Sequence, residues 1–267
     1  MNDIVSSLGA PWVTAVLLLS VRIGALFFMT PLLYAVPVPG AVRVLIVLAL
    51  ASAISLPLAS TVPTPLDLGV LLAAAAGELA LGATLGLGIL LAFAGFSLAG
   101  RLLDVQIGFG IGQVFDPVTR SQVPILTSVF DLLALMLFFL VNGHHALLRG
   151  LAYSVERFPV GRSWSLEGAA APVLQQVAGL FTLGFALASP VVMCLLLVEF
   201  ALGVVSRNLP QVNMLALGIP VKIVVGLLAL ALLAGTLGEA SARLYASIFK
   251  TWTAIFERIP MPQGGQR

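Results

Sequence analysis

Five ionisable side chains, Arg22, Glu78, Asp131, Glu199 and Lys222, stand inside stretches that are otherwise apolar. A charge at bilayer depth costs at least about 2.5 kcal/mol on insertion scales, so each needs a partner or water. Two chemistries fit that requirement. One is a pathway for a solute or proton through this chain alone. The other is polar contact between helices, or between this chain and other subunits of an assembly. A second candidate lies between residues 101 and 124, where Arg101, Asp104, Gln106, Gln113, Asp116, Arg120 and Gln122 interrupt the apolar character. There Gly108, Gly110 and Gly112 alternate with Phe109 and Ile111, and Phe115, Asp116 and Pro117 follow. A dinucleotide fingerprint would need a preceding strand, a βαβ unit and other glycine spacing, so the cofactor reading fails. Alternate glycines leave the backbone free to turn, and the apolar side chains between them can fill a narrow space. A mobile apolar loop beside membrane helices can close a pore. A plain connecting loop with a few buried apolar residues fits the same residues.

His144 and His145 are the only histidines, and they are adjacent. Neighbouring residues on a helix point about 100° apart, and no carboxylate lies at helical ligand spacing, so a structural or capping role fits better than a metal site. The single cysteine, Cys194, sits in an apolar run, which excludes an internal disulfide and a thiolate cluster and leaves packing as its role. Neither an HExxH nor a GxSxG motif occurs, nor a pair of carboxylates in a soluble cleft. The sequence therefore offers no catalytic, cofactor-binding or metal site.

The elements that must position these residues follow from composition. Of 267 residues, 60% are hydrophobic and 9% charged, against roughly 25% charged in a soluble domain. A crossing needs about 20 apolar residues, and the runs provide for five to seven, giving an all-α polytopic membrane protein with little room for a soluble domain. The net charge of +2 contains no block of like charge, so nucleic acid is set aside as a partner. The first run, residues 12–33, follows a segment without basic residues, so it reads as a retained membrane helix and not as a signal peptide. With the run at 42–62 it forms a helical hairpin across the breakers Pro31, Pro37, Pro39 and Gly40.

Apart from Glu78, residues 68–100 are apolar or small; as one helix they span about 50 Å, more than a bilayer core of about 30 Å. Gly82 and Gly86 offer a small-xxx-small face for close helix contact. The run at 172–205 is oversized too, and Pro190 should kink or split it. Residues 123–141 form a further apolar run, 142–172 the largest aqueous loop, and 208–220 a turn rich in breakers ahead of the run at 221–237. The tail spaces Leu244, Ile248, Trp252, Ile255 and Ile259 helically, as in an amphipathic helix that docks on membrane or protein. Placing the amino terminus inside puts Arg149, Arg157, Arg162 and the tail's basic residues inside, against Arg43, Arg101, Arg120 and Arg207 outside, a small bias.

Several of these stretches, taken in order, resemble the FliR family of flagellar type III export-gate subunits and its counterpart in virulence injectisomes. They are Gly77-Glu78, Gly100 to Asp104 with Gln106 and Gly108, Asp116-Pro117, and Asn142-Gly143-His144. Pro210-Gln211-Val212-Asn213 and Gly218-Ile219-Pro220-Val221-Lys222 complete the set. The resemblance implies a noncatalytic subunit of a helical ring in the bacterial inner membrane, at the flagellar basal body. Its partners would be FliP-like and FliQ-like subunits, FlhB-like and FlhA-like export components, membrane lipid, and unfolded substrate proteins in transit. It implies further that residues 1–171 are FliP-like, that 172–237 form a FliQ-like hairpin, and that 238–267 are an amphipathic helix and tail. A family loop that plugs the pore falls on residues 108–122, with Gly108, Phe109, Gly110, Ile111, Gly112, Phe115, Asp116 and Pro117. Arg22, Glu78, Asp104, Asp131, Glu199 and Lys222 would then make contacts between helices or subunits. The rival reading is a small-solute permease, for which intramembrane charges and broken helices are binding features; the two halves of the chain show no matched repeat.

Overall fold

In hydrocarbon every backbone N–H and C=O must be satisfied within the chain, which leaves helices as the economical answer for so apolar a sequence. The computed structural model describes residues 2–33, 38–56, 67–109, 124–161, 167–209, 211 and 214–258. Among them are eight α-helices and no strand. These are α1 (Asn2–Met29), α2 (Gly40–Ser55), α3 (Leu68–Ile107), α4 (Ile125–Leu140), α5 (Gly143–Arg157), α6 (Glu167–Asn208), α7 (Met214–Leu233) and α8 (Leu237–Arg258). The chain is an all-α polytopic membrane protein. Segments 11–29, 68–107, 169–208 and 216–233 are each long and apolar enough to cross a membrane, and α4 with α5 can count as a fifth. The described residues thus give four or five such segments against the expected five to seven, and α2, of 16 residues, is too short to add to them.

The two oversized runs are single helices of 40 and 42 residues, about 60 Å each and twice a bilayer core. Pro190 does not split α6. Its missing N–H deprives the Ala186 carbonyl of its helical donor, and the Ser189 hydroxyl donates to that carbonyl at 3.3 Å. Pro220 likewise lies inside α7, so the turn expected over 208–220 is shorter, and α7 begins at Met214. One proline near the start of a membrane helix removes a single rung, which neighbouring groups can replace. The expected aqueous loop at 142–172 is corrected as well: its first half is α5, amphipathic, with Leu147, Leu151 and Val155 buried one turn apart. Asn142 sits in the left-handed region at φ 56°, which its short polar side chain tolerates, and this ends α4 and starts α5.

The helices form two compact units. The first comprises residues 1–91, 142–177 and 246–267. Leu19, Ile23 and Leu26 of α1, Leu85 and Ile89 of α3, Leu151 of α5, and Ile248, Trp252 and Phe256 of α8 are buried in it. Here α1 pairs with α2, and α3 crosses α1 at Gly82 and Gly86. A Cβ on Gly82 would fall 2.2 Å from the Arg22 carbonyl oxygen, and one on Gly86 2.8 Å from that of Leu26. Both obstacles are backbone, so neither can step aside. Gly82→Ala should lower stability by about 1–3 kcal/mol through forced separation of the helices; an unchanged melting temperature of the detergent-solubilised chain would contradict this.

The second unit comprises residues 92–141 and 178–245. Its core joins Phe96, Leu103 and Ile107 of α3 to Phe130, Ala134 and Phe138 of α4, Val191 and Leu195 of α6, and Tyr245 of α8. The Tyr245 ring meets Phe138 edge-on at 5.3 Å, a preferred aromatic geometry. Burial pushes the Tyr245 phenol above its ordinary value, so it keeps its proton and donates it to the Ala134 carbonyl. By contrast α6 and α7 expose Phe181, Phe185, Leu197, Phe200, Leu228 and Leu232. Apolar stripes of that extent require lipid or other protein chains around them.

Candidate functional site

Arg22 of α1 and Glu78 of α3 lie 1% and 2% exposed in the first unit. The guanidinium grips the carboxylate in bidentate fashion, Nε to Oε2 at 2.5 Å and Nη2 to Oε1 at 3.0 Å. Its remaining donors reach the Phe158 carbonyl at 2.9 Å and the Ser154 hydroxyl at 3.3 Å. Glu78 Oε1 in turn accepts the Gly161 backbone N–H at 3.0 Å. This fork geometry is what makes a buried arginine tolerable, since desolvation is offset only when donors and lone pairs are filled. One cluster thus binds α1, α3, the end of α5 and the turn beyond it. The sequence signal was the pair of charges in apolar runs; Ser154, Phe158 and Gly161 carried none.

Asp104, 3% exposed on the last turn of α3, serves α4. The first turn of any helix has N–H groups without intrahelical acceptors, and the N-cap of α4 is Pro124, which has no side-chain bond to give. Asp104 supplies the missing acceptor from another helix: Oδ1 receives the Leu126 N–H and Oδ2 the Thr127 N–H, each at 2.9 Å, with the Thr127 hydroxyl at 2.7 Å. A carboxylate at a helix N-terminus is also favoured by the helix dipole. Just beyond Asp104, Gly108 takes φ 103°, a value that suits glycine, and turns the chain out of α3. The segment expected to plug a pore therefore leaves from Gly108 and Phe109 and returns at Pro124, where the Asp104 carboxylate ties the start of α4 to the last turn of α3. Gly110, Ile111, Gly112, Phe115, Asp116 and Pro117 lie outside the described residues.

The other intramembrane charges also meet polar groups of the same chain. Lys222 of α7 bonds to Glu199 of α6, across the α6–α7 hairpin. Asp131 of α4 accepts the Ser97 hydroxyl of α3. The rings of His144 and His145 lie against each other, centroids 4.2 Å apart and tilted by 43°. No group of three or more metal-ligating side chains occurs among the described residues. Two buried polar residues of α6 and α8 escaped the sequence reading as polar contacts. The Gln176 amide donates to the Gly88 carbonyl at 2.6 Å and the Trp252 indole to the Leu85 carbonyl at 3.2 Å, so both hold α3 by its backbone. The adjacent pair Gln175 and Gln176 within an oversized apolar run was the available signal.

A family model described as bacterial export proteins, family 1, matches residues 13–248. The chain belongs to this family. The match takes in all six charged residues above and the loop between α3 and α4. The export protein is 33% identical to the flagellar biosynthetic protein FliR of Bacillus subtilis (strain 168) over 222 residues, covering 81% of this chain and 84% of that one. It is 28% identical to FliR of Escherichia coli (strain K12) over 243 residues, covering 90% and 92%. The secretion system apparatus protein SsaT of Salmonella typhimurium is 26% identical over 155 residues, 58% of this chain and 60% of that one. The motif-based resemblance to FliR thus holds over most of the export protein's length.

Proposed function

We propose that this export protein is a structural, noncatalytic pore subunit of the flagellar type III protein export gate, and that residues 108–122 form a plug which closes the channel until unfolded substrate passes. The carrying observation is the loop base. Asp104 fastens the start of α4 to the end of α3, and Gly108 turns the chain away from them. A loop with a rigid base and a glycine-rich, aromatic body can be displaced and return to the same place. Membership of the export family and the flagellar names of the relatives support the setting. The helices about twice the bilayer thickness, with exposed apolar stripes, support surroundings of FliP-like and FliQ-like subunits as well as lipid.

On this reading residues 1–171 are FliP-like, 172–237 are the FliQ-like hairpin and 238–267 the amphipathic tail. FlhB-like and FlhA-like components are further partners, in the bacterial inner membrane at the flagellar basal body. Arg22 and Glu78, saturated by groups of their own chain, support a structural role over solute binding. Deleting residues 108–113 should make cells expressing the whole gate leaky to small ions while the complex still assembles. Unchanged permeability, with the complex intact, rejects the plug.

A further inference from the structure

The outer face of α4, in the second unit, is an apolar stripe with a carboxylate beside it. Ile125, Val129, Leu132 and Met136 follow one another at intervals of four, three and four residues and are each at least half exposed. Leu126, Phe130, Ala134 and Phe138 are buried on the opposite side. The exposed interval is that of a seam along which one helix receives another. Asp131 flanks the stripe and is itself exposed. Its carboxylate meets the neutral Ser97 hydroxyl of α3, and among the described residues it has no cationic partner. Arg101, four residues along α3 from Ser97, is exposed as well and does not pair with it.

Three kinds of surroundings can meet this face, and they differ in what they leave unanswered. Water would solvate Asp131 and leave four large apolar side chains bare. Lipid would cover those four, but Asp131 stands about 9 Å from the start of α4 and about 13 Å from its end, where a carboxylate without a counter-charge in hydrocarbon is costly. A protein helix with an apolar seam and a basic side chain answers both. A second copy of α4 does not, since α4 contains neither lysine nor arginine and symmetric pairing would bring two carboxylates together. We infer that this face of α4 docks one helix of a neighbouring, different subunit, which lays apolar residues along Ile125 to Met136 and brings a lysine or arginine to Asp131. The inference rests on the reading of the chain as one subunit of a multi-subunit export gate, and it is independent of the plug.

The test places a photoactivatable residue at Leu132 or Met136 in cells that make the complete export complex, with Phe200 of α6 as the reference position. Both α4 positions should form an adduct with another gate subunit, mapped to a helix that carries a lysine or arginine. Asp131→Asn keeps an oxygen for Ser97 and removes the charge, so the chain should fold as before while the adduct yield at Leu132 falls at least about tenfold. Asp131→Lys should abolish the adduct, and exchanging the partner's basic residue for aspartate should restore it. Arg101→Gln should leave the yield unchanged. Full yield in Asp131→Asn overturns the inference, and so does an equal loss in Arg101→Gln, which would show the carboxylate answered within its own chain. An adduct to lipid alone, an adduct to a second copy of this chain, or none at all overturns it too. In those cases a cross-link from Phe200 to a gate subunit leaves the multi-subunit reading standing, whereas its absence brings that reading down as well.

Discussion

Glu78→Ala should be the most damaging single substitution in the first unit, lowering stability by about 3–5 kcal/mol. Removing the carboxylate leaves the Arg22 guanidinium, 1% exposed, with only the Phe158 carbonyl and the Ser154 hydroxyl as partners. It also strips the acceptor from the Gly161 N–H. A stranded buried charge is worse than no charge, which gives the test its second arm. Arg22→Met combined with Glu78→Leu should recover much of the loss, because apolar side chains of similar volume replace a buried ion pair at little penalty. Thermal unfolding of the detergent-solubilised complex distinguishes the cases. If the double variant is as unstable as the single one, the pair contributes something beyond its own neutralisation. If Glu78→Ala is silent, the pair is not holding α1 to α3.

Asp104→Ala carries the second large effect, and here the consequence reaches function. It orphans the Leu126 and Thr127 N–H groups and the Thr127 hydroxyl. Each unsatisfied buried donor costs about 1–3 kcal/mol, so the first turn of α4 should fray. Asp104→Asn should fall between, since one amide oxygen can accept while its NH₂ confronts donors. If the loop from Gly108 closes a pore, fraying its base should raise ion leak in the assembled gate in the order wild type, Asn, Ala. Amide hydrogen exchange at residues 125–128 should rise in the same order. Exchange that rises without any leak would separate the capping role, which the geometry gives directly, from the plugging role, which is proposed.

What the sequence disclosed divides along physical lines. Charges in apolar runs announce themselves because desolvation is expensive, so Arg22, Glu78, Asp131, Glu199 and Lys222 stood out before any fold was known. Their pairing did not, since Arg22 and Glu78 are 56 positions apart and no local rule links them. Asp104 was visible as a polar residue, but capping rules look a few residues along the chain, and this cap serves a helix 22 positions away. The lengths of α3 and α6 were legible from hydropathy. The helix α5 was not, because Arg149, Glu156 and Arg157 suggested water, although Leu147, Leu151 and Val155 already marked one buried face at helical spacing. Prolines misled in the other direction: Pro220 predicted a break that α7 does not have, and of the kink or split expected at Pro190 the split is absent, α6 being continuous.

The hold of Trp252 and Gln176 on the backbone of α3 bears on the order in which the protein is made. The first unit combines residues 1–91 with residues 142–177 and 246–267, and the edge of the Trp252 ring abuts Gly150, where a Cβ would come within 2.2 Å of it. At a translation rate of about 5–20 residues per second, roughly 8 to 33 seconds separate the emergence of residue 91 from that of residue 258. For nearly all of that interval Trp252 has not yet been made, and the earliest helices wait with an apolar face uncovered. The finished unit therefore waits on α8, and a nascent chain that has not yet made α8 still shows the face that α8 covers.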